Sequence, residues 1–268
     1  MVAANARAPD AATAVPEVML FGLRMRNIGL GQAADDVVAA AKHGQKTTVF
    51  FVNAHCVNVA AQDADYLVSL ERARWLFADG SGMAKAARAA ATPFVDNVNG
   101  TDLFPLVCER AARHGASLAL IGAKPGVAAK CAENMKHTYP GLNIVYVRDG
   151  YFRPADELQL LDELNRSGAQ IVFVARGVPL QERWINNVAA GSVPPVWLAV
   201  GALFDFYSGE VKRAPLFIRK LGLEWVFRLM LEPRRLFMRY VIGNPVFLMR
   251  MWQRRRRGVD TLRNARLQ

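Results

Sequence analysis

Short apolar runs alternate with helical segments through about 150 residues, and this alternation constrains the fold more than any other feature of the chain. The runs are rich in β-branched and aromatic side chains, as buried strands are, and they cover residues 47–52, 75–77, 118–121, 143–147, 171–175 and 196–200. The segments between them are Ala-rich or amphipathic, which predicts helices. The pattern therefore predicts an α/β fold with a Rossmann-like, mostly parallel sheet flanked by helices and joined by right-handed crossovers.

The ends of the chain differ from this core in composition. Residues 1–16 are Ala-rich, contain two prolines and lack periodicity, so they predict a disordered lead-in. The α/β core is expected to span residues 17–214 and to open with a short strand or hairpin over residues 18–28. Residues 215–257 predict a basic, amphipathic helical appendage, and residues 258–268 a tail.

The appendage is expected to contain three short helices, two of which start at Pro233 and Pro245. Residues 212–268 carry 15 Lys/Arg and 3 Asp/Glu, a net charge of +12, whereas the rest of the chain is close to neutral at −1. Basic helices with aromatic residues suit an anionic membrane surface. The alternative is a solvated basic face packed on the core. Nucleic-acid binding is disfavoured because Trp and Phe here accompany Leu and Met.

Cysteine usage and hydropathy bear on the compartment. The three cysteines are widely spaced and form no CxxC pair, which is typical of buried thiols in a reducing compartment. We see no apolar segment of about 18 residues and no signal-peptide core, so we expect a cytoplasmic protein attached peripherally to the inner face of the plasma membrane. The apolar appendage also predicts some self-association away from membranes, as a homo-oligomer.

Polar side chains follow several predicted strands, at the edge where open parallel sheets bind ligands. Asp79 stands where one strand gives way to a helix, so it is either a helix cap or a functional carboxylate, with Ser81 as another candidate cap. Asn53 and Asp205 stand just past two other strands. Asn53 has a simpler explanation as a turn residue, and Asp205 is the rival of Asp79 for the role of catalytic base.

Two loops that open helices suit phosphate binding through their backbone N–H groups, namely Gly122–Gly126 and Gly177–Gln181. Thr101 or Asp102 is expected to cap the helix that begins there. Residues 63–65 spell DxD, a metal and nucleotide signature of many glycosyltransferases. They fall in a helical stretch rather than at a strand end, so we expect no metal site there.

From about residue 49 to residue 240, the chain resembles the WecG/TagA/CpsF family of bacterial glycosyltransferases (glycosyltransferase family 26). The segments that carry the resemblance are FVNAHCVN, ADGSG, VNGTDLF, IGAKPGVA with YPGLNIV and GYF, GVPLQERWI, VGALFDFYSGEVKRAP, and GLEWVFRLMLEPRR with RY. The resemblance implies an inverting transferase in cell-surface polysaccharide biosynthesis, such as exopolysaccharide assembly. It would move a hexose or N-acetylhexosamine from a UDP-sugar to a polyprenyl-diphosphate-linked sugar at the membrane. UDP-ManNAc and UDP-glucose are alternative donors.

The resemblance also implies roles for individual residues. Asp79 matches the proposed catalytic base, and Asn53 and Gln181 match pocket residues. Substrate contacts are expected at the matched positions Asn97, Gly122, Pro125, Gly126, Gly177, Pro179, Gly201 and Asp205, and at Arg228, Arg235 and Arg239 of the appendage, which is thought to close over the diphosphate.

Two positions depart from the family pattern. Phe51 stands where many members have Thr, and Asn97 stands where many have an arginine that is thought to hold the diphosphate. Donor choice is therefore left open. With no DxD at a strand end, we expect a transferase that uses neither a metal nor another cofactor. The competing hypothesis is a non-catalytic α/β scaffold docked on the membrane within a polysaccharide assembly complex.

Overall fold

The computed structural model describes residues 15–257, without the side chains of Lys220 and residues 255–257. The predicted tail, and all but the last two residues of the predicted lead-in, lie outside the described residues. Two strands near the start, β1 (Glu17–Leu20) and β2 (Leu23–Arg26), pair antiparallel as a hairpin. Of the short strand or hairpin predicted for residues 18–28, the structure has the hairpin.

The six remaining strands form one sheet in which every pair is parallel. Their order across the sheet is β4-β3-β8-β7-β5-β6. The strands are β3 (Thr47–Val52), β4 (Trp75–Ala78), β5 (Ser117–Gly122), β6 (Asn143–Arg148), β7 (Ile171–Ala175) and β8 (Val196–Ala199). The predicted α/β fold is therefore confirmed, and all carboxyl ends of these strands point to one edge.

Helices cover both faces of the sheet. Along β3, Val49 and Phe51 belong to one buried cluster while Phe50 and Val52 belong to the other, which explains the unbroken apolar sequence of this strand. One face carries α1 (Leu30–Lys42), α5 (Gly100–His114), α6 (Val127–Thr138) and α9 (Leu203–Tyr207). The other carries α2 (Ala54–Ala60), α3 (Ala64–Glu71), α4 (Gly80–Ala89), a 3₁₀ turn (Pro154–Asp156) before α7 (Glu157–Arg166), and α8 (Leu180–Val188).

The C-terminal helices are present but differ from the prediction in their boundaries. They are α10 (Leu216–Lys220), α11 (Glu224–Leu231), α12 (Pro233–Phe237), a π-helical turn (Met238–Ile242) and α13 (Gly243–Arg257). Pro233 starts a helix as predicted. Pro245 does not, because α13 begins at Gly243 and Pro245 lies within its first turn, where a proline is tolerated.

The first predicted C-terminal helix is in fact two helices. Gly222 separates α10 from α11 with φ of +70°, a left-handed conformation that ends a helix. None of the helices that the structure describes has the length and apolar character that crossing a bilayer requires.

Two predicted helix caps were wrong. Asn99, rather than Thr101 or Asp102, caps α5, because the helix begins at Gly100 and the Asn99 Oδ1 accepts from the Asp102 N–H at 2.8 Å. Ser81 does not cap α4 but lies inside its first turn, where its Oγ donates to the Gly222 carbonyl at 3.3 Å. Asn, Asp, Ser and Thr share one capping chemistry, so a cluster of them leaves the true cap undetermined.

Gly122 is required by the close approach of two strands. It has φ of +137°, and a Cβ there would lie 2.3 Å from the Ala175 carbonyl oxygen of β7. We expect Gly122→Ala to lower the free energy of unfolding, measured by urea denaturation, by about 3 kcal/mol or more, since neither backbone can give way.

Gly126 is the matched control, because it also has a positive φ, +83°, but open space around its Cβ position. Gly126→Ala should cost only about 1–2 kcal/mol, the strain of a left-handed residue. Equal losses in the two variants would show that the clash at Gly122 does not matter.

Candidate active site

The carboxyl ends of β3 and β4 place two polar side chains together. Val52 and Ala78 are register partners at the ends of these strands, so Asn53 and Asp79 leave the sheet side by side. The Asp79 N–H continues the ladder by donating to the Val52 carbonyl at 2.9 Å. The Asn53 Nδ2 then donates to the Asp79 Oδ2 at 3.1 Å. The sequence prediction that these two residues stand at strand ends is confirmed.

Asn53 is fixed by the helix that follows it. Its Oδ1 caps α2 by accepting from the N–H groups of His55 at 3.1 Å and Cys56 at 3.2 Å. Because the oxygen is held by the helix, the amide NH₂ is directed at Asp79. Asn53 thus has two roles. It is a turn residue, as the simpler explanation of its position predicted, and it also donates a hydrogen bond to a carboxylate.

Asp79 is not used as a cap. It occupies the N-cap position of α4, but among the described residues the carboxylate takes its hydrogen bond from Asn53 and none from the N–H groups of α4. Burial raises the pKa of Asp79, while the hydrogen bond from Asn53 and the positive charge of Arg239 oppose this rise. A carboxylate with a raised pKa is a stronger base than an exposed aspartate.

Asn97 holds the turn after Asp79. Its Oδ1 accepts from the Gly80 N–H at 2.7 Å, and Gly80 has φ of +88°. Asn97 lines the same pocket as Asp79, so the position that departs from the family pattern lies within the site. Phe51, the other departure, is buried beneath the site and stacks on Phe77 with ring centroids 6.1 Å apart.

The C-terminal helices complete the pocket. Phe247 of α13 is buried against Gly82 in the first turn of α4, and the Asn58 Nδ2 of α2 donates to the Gly243 carbonyl at 2.7 Å. Arg213 pairs with Asp102 at 2.7 Å and with Glu224 at 3.3 Å, which ties α11 to the start of α5.

The pocket has a volume of about 480 Å³. The sheet edge, α2, α4 and the start of α5 contribute Asn53, Ala54, His55, Asp79, Gly80, Ser81, Gly82, Ala84, Lys85, Asn97, Asn99 and Thr101. The segments from α9 onward contribute Phe206, Arg219, Gly222, Glu224, Trp225, Arg228, Arg239, Tyr240, Asn244, Phe247 and Leu248.

Three arginines reach this pocket from the appendage. Arg228 lies over the Phe206 ring at 5.0 Å, and Arg239 lies over the Tyr240 ring at 5.4 Å. Arg219 lies 3.4 Å from Asp102. With Lys85, the lining carries more cations than carboxylates, so it suits an anionic group. Of the three arginines predicted to bind substrate, the structure brings Arg228 and Arg239 to the pocket. Arg235 lies outside its lining and pairs with Glu232 at 3.0 Å.

Asp205 lies outside the pocket lining, although its neighbour Phe206 contributes to it. Burial raises the pKa of Asp205, and the charge of Arg235 opposes the rise. Arg228, which lines the pocket, also opposes the rise, so Asp205 lies close to the pocket without being part of its lining.

The two loops predicted to bind phosphate lie along the same edge of the sheet but outside the lining of this pocket. The predicted substrate contacts that lie outside the lining for this reason are Gly122, Pro125, Gly126, Gly177, Pro179 and Gln181, and Gly201 lies outside it as well. Gln181 is buried and joins the Gly177–Gln181 loop to the segment after β8, since its Oε1 accepts from the N–H groups of Gly177 at 3.1 Å and Gly201 at 3.0 Å. Its Nε2 donates to the Glu182 Oε1 at 2.8 Å. This geometry makes Gln181 a residue that positions the loops.

Several lining residues were missed by the sequence analysis. His55 lines the pocket, and its pKa is lowered to about 4 by burial and by Arg239, so the imidazole is neutral at physiological pH. The sequence could have indicated His55, because it stands two residues after Asn53, in the first turn of a helix that starts at the sheet edge. Trp225 lies three residues before Arg228, on the same helix face.

The DxD sequence is used structurally. The Asp63 Oδ1 caps α3 by accepting from the Tyr66 N–H at 3.0 Å, and its carboxylate pairs with Arg183 at 2.6 Å. Within residues 15–257 no group of three or more His, Cys, Asp or Glu side chains is placed to hold a metal ion.

A comparison with protein families agrees with this architecture. Residues 18–260 match the family described as "Glycosyl transferase WecG/TagA/CpsF family", which is nearly the whole chain. The chain belongs to this glycosyltransferase family. The match spans the sheet, the pocket and the appendage, so all parts of the site described above lie within the region that defines the WecG/TagA/CpsF family.

The two tasks of Asn53 can be separated by substitution. Asn53→Ser keeps a capping side chain, whereas Asn53→Ala removes it. We therefore expect the Asn53→Ala variant, but not the Asn53→Ser variant, to lose about 1 kcal/mol in the free energy of unfolding. Both variants lose the hydrogen bond to Asp79, and both should lose at least about tenfold in glycosyl transfer. Transfer that is retained in Asn53→Ser would show that only the cap matters.

Proposed function

We propose that this protein is an inverting glycosyltransferase that moves a hexose or N-acetylhexosamine from a UDP-sugar to a polyprenyl-diphosphate-linked sugar in cell-surface polysaccharide biosynthesis. The observation that carries the proposal is the pocket itself. A half-buried, oriented carboxylate, Asp79, shares it with arginines from an apolar, basic appendage. Membership of a glycosyltransferase family supplies the reaction class.

Asp79 acts as the general base in a single in-line displacement. The acceptor hydroxyl gives its proton to the carboxylate as its oxygen forms a bond with the anomeric carbon of the donor. The bond from that carbon to the diphosphate oxygen breaks with its electron pair, so UDP leaves and the configuration inverts. Proton transfer of this kind typically contributes about 10²–10⁴ in rate. Asn53 holds the carboxylate in place throughout.

The charge that develops on the leaving diphosphate needs cations. Arg228 and Arg239 lie in the pocket lining and present planar forks that bind phosphate oxygens well. We assign the diphosphate to them, with Arg235 and Asp205 at the adjoining surface. The nucleotide extends toward the Gly122–Gly126 loop and the N-terminus of α6, where backbone N–H groups favour anions.

Donor choice is proposed to depend on Asn97. It places an uncharged amide, committed to the Gly80 N–H, where many relatives have an arginine. UDP-ManNAc and UDP-glucose are the two donors to compare first. Asp63, the first carboxylate of the DxD sequence, is paired with Arg183, and the cations of the pocket are the arginines and Lys85. This supports catalysis without a metal.

The base assignment is tested by UDP release from a panel of UDP-sugars, with a short-chain prenyl-diphosphate-sugar as acceptor. We expect acceptor-dependent release with one donor, reduced at least about 10²-fold in Asp79→Asn because the base is lost. Asp205→Asn is the matched control at another strand end and should retain far more activity. Loss in Asp205→Asn with retention in Asp79→Asn would reverse the assignment.

The same UDP-release assay can also be run with EDTA and at different pH values. Release should persist in EDTA, and activity that EDTA abolishes and Mg²⁺ restores would contradict metal independence. The base works only when ionised, so kcat/KM should fall as the pH drops through the raised pKa of Asp79. The acid limb should therefore lie above the ordinary aspartate range. It should shift to higher pH in Asn53→Ser, because the hydrogen bond that opposes the rise is removed.

The appendage is proposed to bind the anionic inner face of the plasma membrane, where the lipid-linked acceptor resides. Phe217 and Phe237 are 65% and 50% exposed on α10 and α12, beside several arginines. We expect the protein to sediment with vesicles that contain anionic phospholipid, and Phe217→Ser/Phe237→Ser to reduce this binding at least about tenfold.

Leu158→Ser provides the control for membrane binding, because Leu158 is 78% exposed on α7 of the core. Leu158→Ser should change binding to anionic vesicles only slightly. Sedimentation that is equal for neutral and anionic vesicles, or equal losses in the core and appendage variants, would rule out the appendage as the membrane-binding surface.

A further inference from the structure

Two aromatic side chains of the appendage form part of the pocket wall without a role in the reaction described above. Trp225 belongs to α11 and Tyr240 to the π-helical turn, and their rings pack at 5.9 Å between centroids with an interplanar angle of 58°. Both are half-buried, and both line the pocket that Asp79 lines from the sheet edge. Two helical segments of the appendage thus each contribute one aromatic ring to the same wall of the pocket.

The polar ends of these rings are available to a ligand. Within the part of the chain that the structure describes, neither the Trp225 Nε1 nor the Tyr240 hydroxyl has a hydrogen-bond partner. The core indoles differ, since the Trp184 Nε1 donates to Glu157 at 2.8 Å and the Trp197 Nε1 to the Pro194 carbonyl at 3.0 Å. A flat apolar face with a free polar edge complements a pyranose, which presents C–H groups on its face and hydroxyls around its rim.

We propose that Trp225 and Tyr240 form the platform for the acceptor sugar, a specificity-determining subsite within the function proposed above. The base must reach the acceptor hydroxyl, so the acceptor sugar has to lie in the pocket of Asp79. This sugar is attached to a lipid and enters from the lipid side. Leu248 of α13 lines the pocket and is 48% exposed, and Met249 and Trp252 of the same helix are exposed apolar side chains that suit a lipid surface.

The competing ligands for this wall are the prenyl chain and the donor. A prenyl chain lacks hydroxyls and would leave the Trp225 Nε1 and the Tyr240 hydroxyl unpaired, which is unfavourable in a half-buried wall. The donor diphosphate is better matched to Arg228 and Arg239. A neutral sugar ring is therefore the occupant that uses both the faces and the edges of the two aromatics.

The test measures binding of two soluble probes to the full chain by calorimetry, a short-chain prenyl-diphosphate-hexose and the same prenyl diphosphate without the sugar. We expect Trp225→Ala to weaken binding of the sugar-bearing probe about tenfold and to leave binding of the sugar-free probe within about twofold. Tyr240→Ala should behave in the same way. Trp225→Phe keeps a ring face and should lose less than Trp225→Ala.

Each other outcome overturns the inference in a recognisable way. An equal loss for both probes would assign the wall to the lipid or the diphosphate. A loss confined to UDP binding would assign it to the donor, and no loss at all would make the pair a packing contact of the appendage. UDP affinity, together with the circular-dichroism melting temperature, controls for misfolding. Wild-type protein that binds the sugar-bearing probe but transfers no sugar would sink the proposed function and leave the subsite standing.

Discussion

The parallel register of β3 with β4 is the constraint on which the site depends. It places the first residue after each strand at one level, so Asn53 and Asp79 meet without any special loop. The cap that Asn53 provides for α2 then fixes which end of its amide faces the carboxylate. A hydrogen bond that is set by the ladder and by a helix terminus costs little further ordering, which is the property that a preorganised base requires.

Burial and positive charge act on Asp79 in opposite directions. Burial raises its pKa, and Asn53 and Arg239 oppose the rise, so the carboxylate gains basicity but keeps partners for its ionised form. The same environment lowers the pKa of His55 to about 4, chiefly because burial disfavours the charged imidazolium and further because Arg239 lies nearby. At neutral pH the pocket therefore holds an uncharged imidazole beside a carboxylate of raised pKa.

The composition of the strands made the fold class predictable from the sequence, but the order of the strands in the sheet could not be predicted. An unbroken apolar run such as Thr47–Val52 can only be buried on both faces, and the polar residue that ends it marks the sheet edge. The placement of β8 between β3 and β7 depends on crossovers that local sequence does not encode. The wrong cap at Thr101 or Asp102 has a local cause, since Asn99 competes with the same capping chemistry. His55, Trp225 and Tyr240 were missed because their role comes from long-range packing.

The appendage is best understood as part of the site. Phe247 fits against Gly82, where a side chain would meet the ring at 3.4 Å, and the Gly222 turn rests on Ser81. These contacts lie in the first turn of α4, directly after Asp79. Any movement of the appendage therefore changes the pocket next to the carboxylate. If the appendage binds the membrane as proposed, the same helices hold the protein at the surface where the acceptor resides and form one wall of the pocket around Asp79.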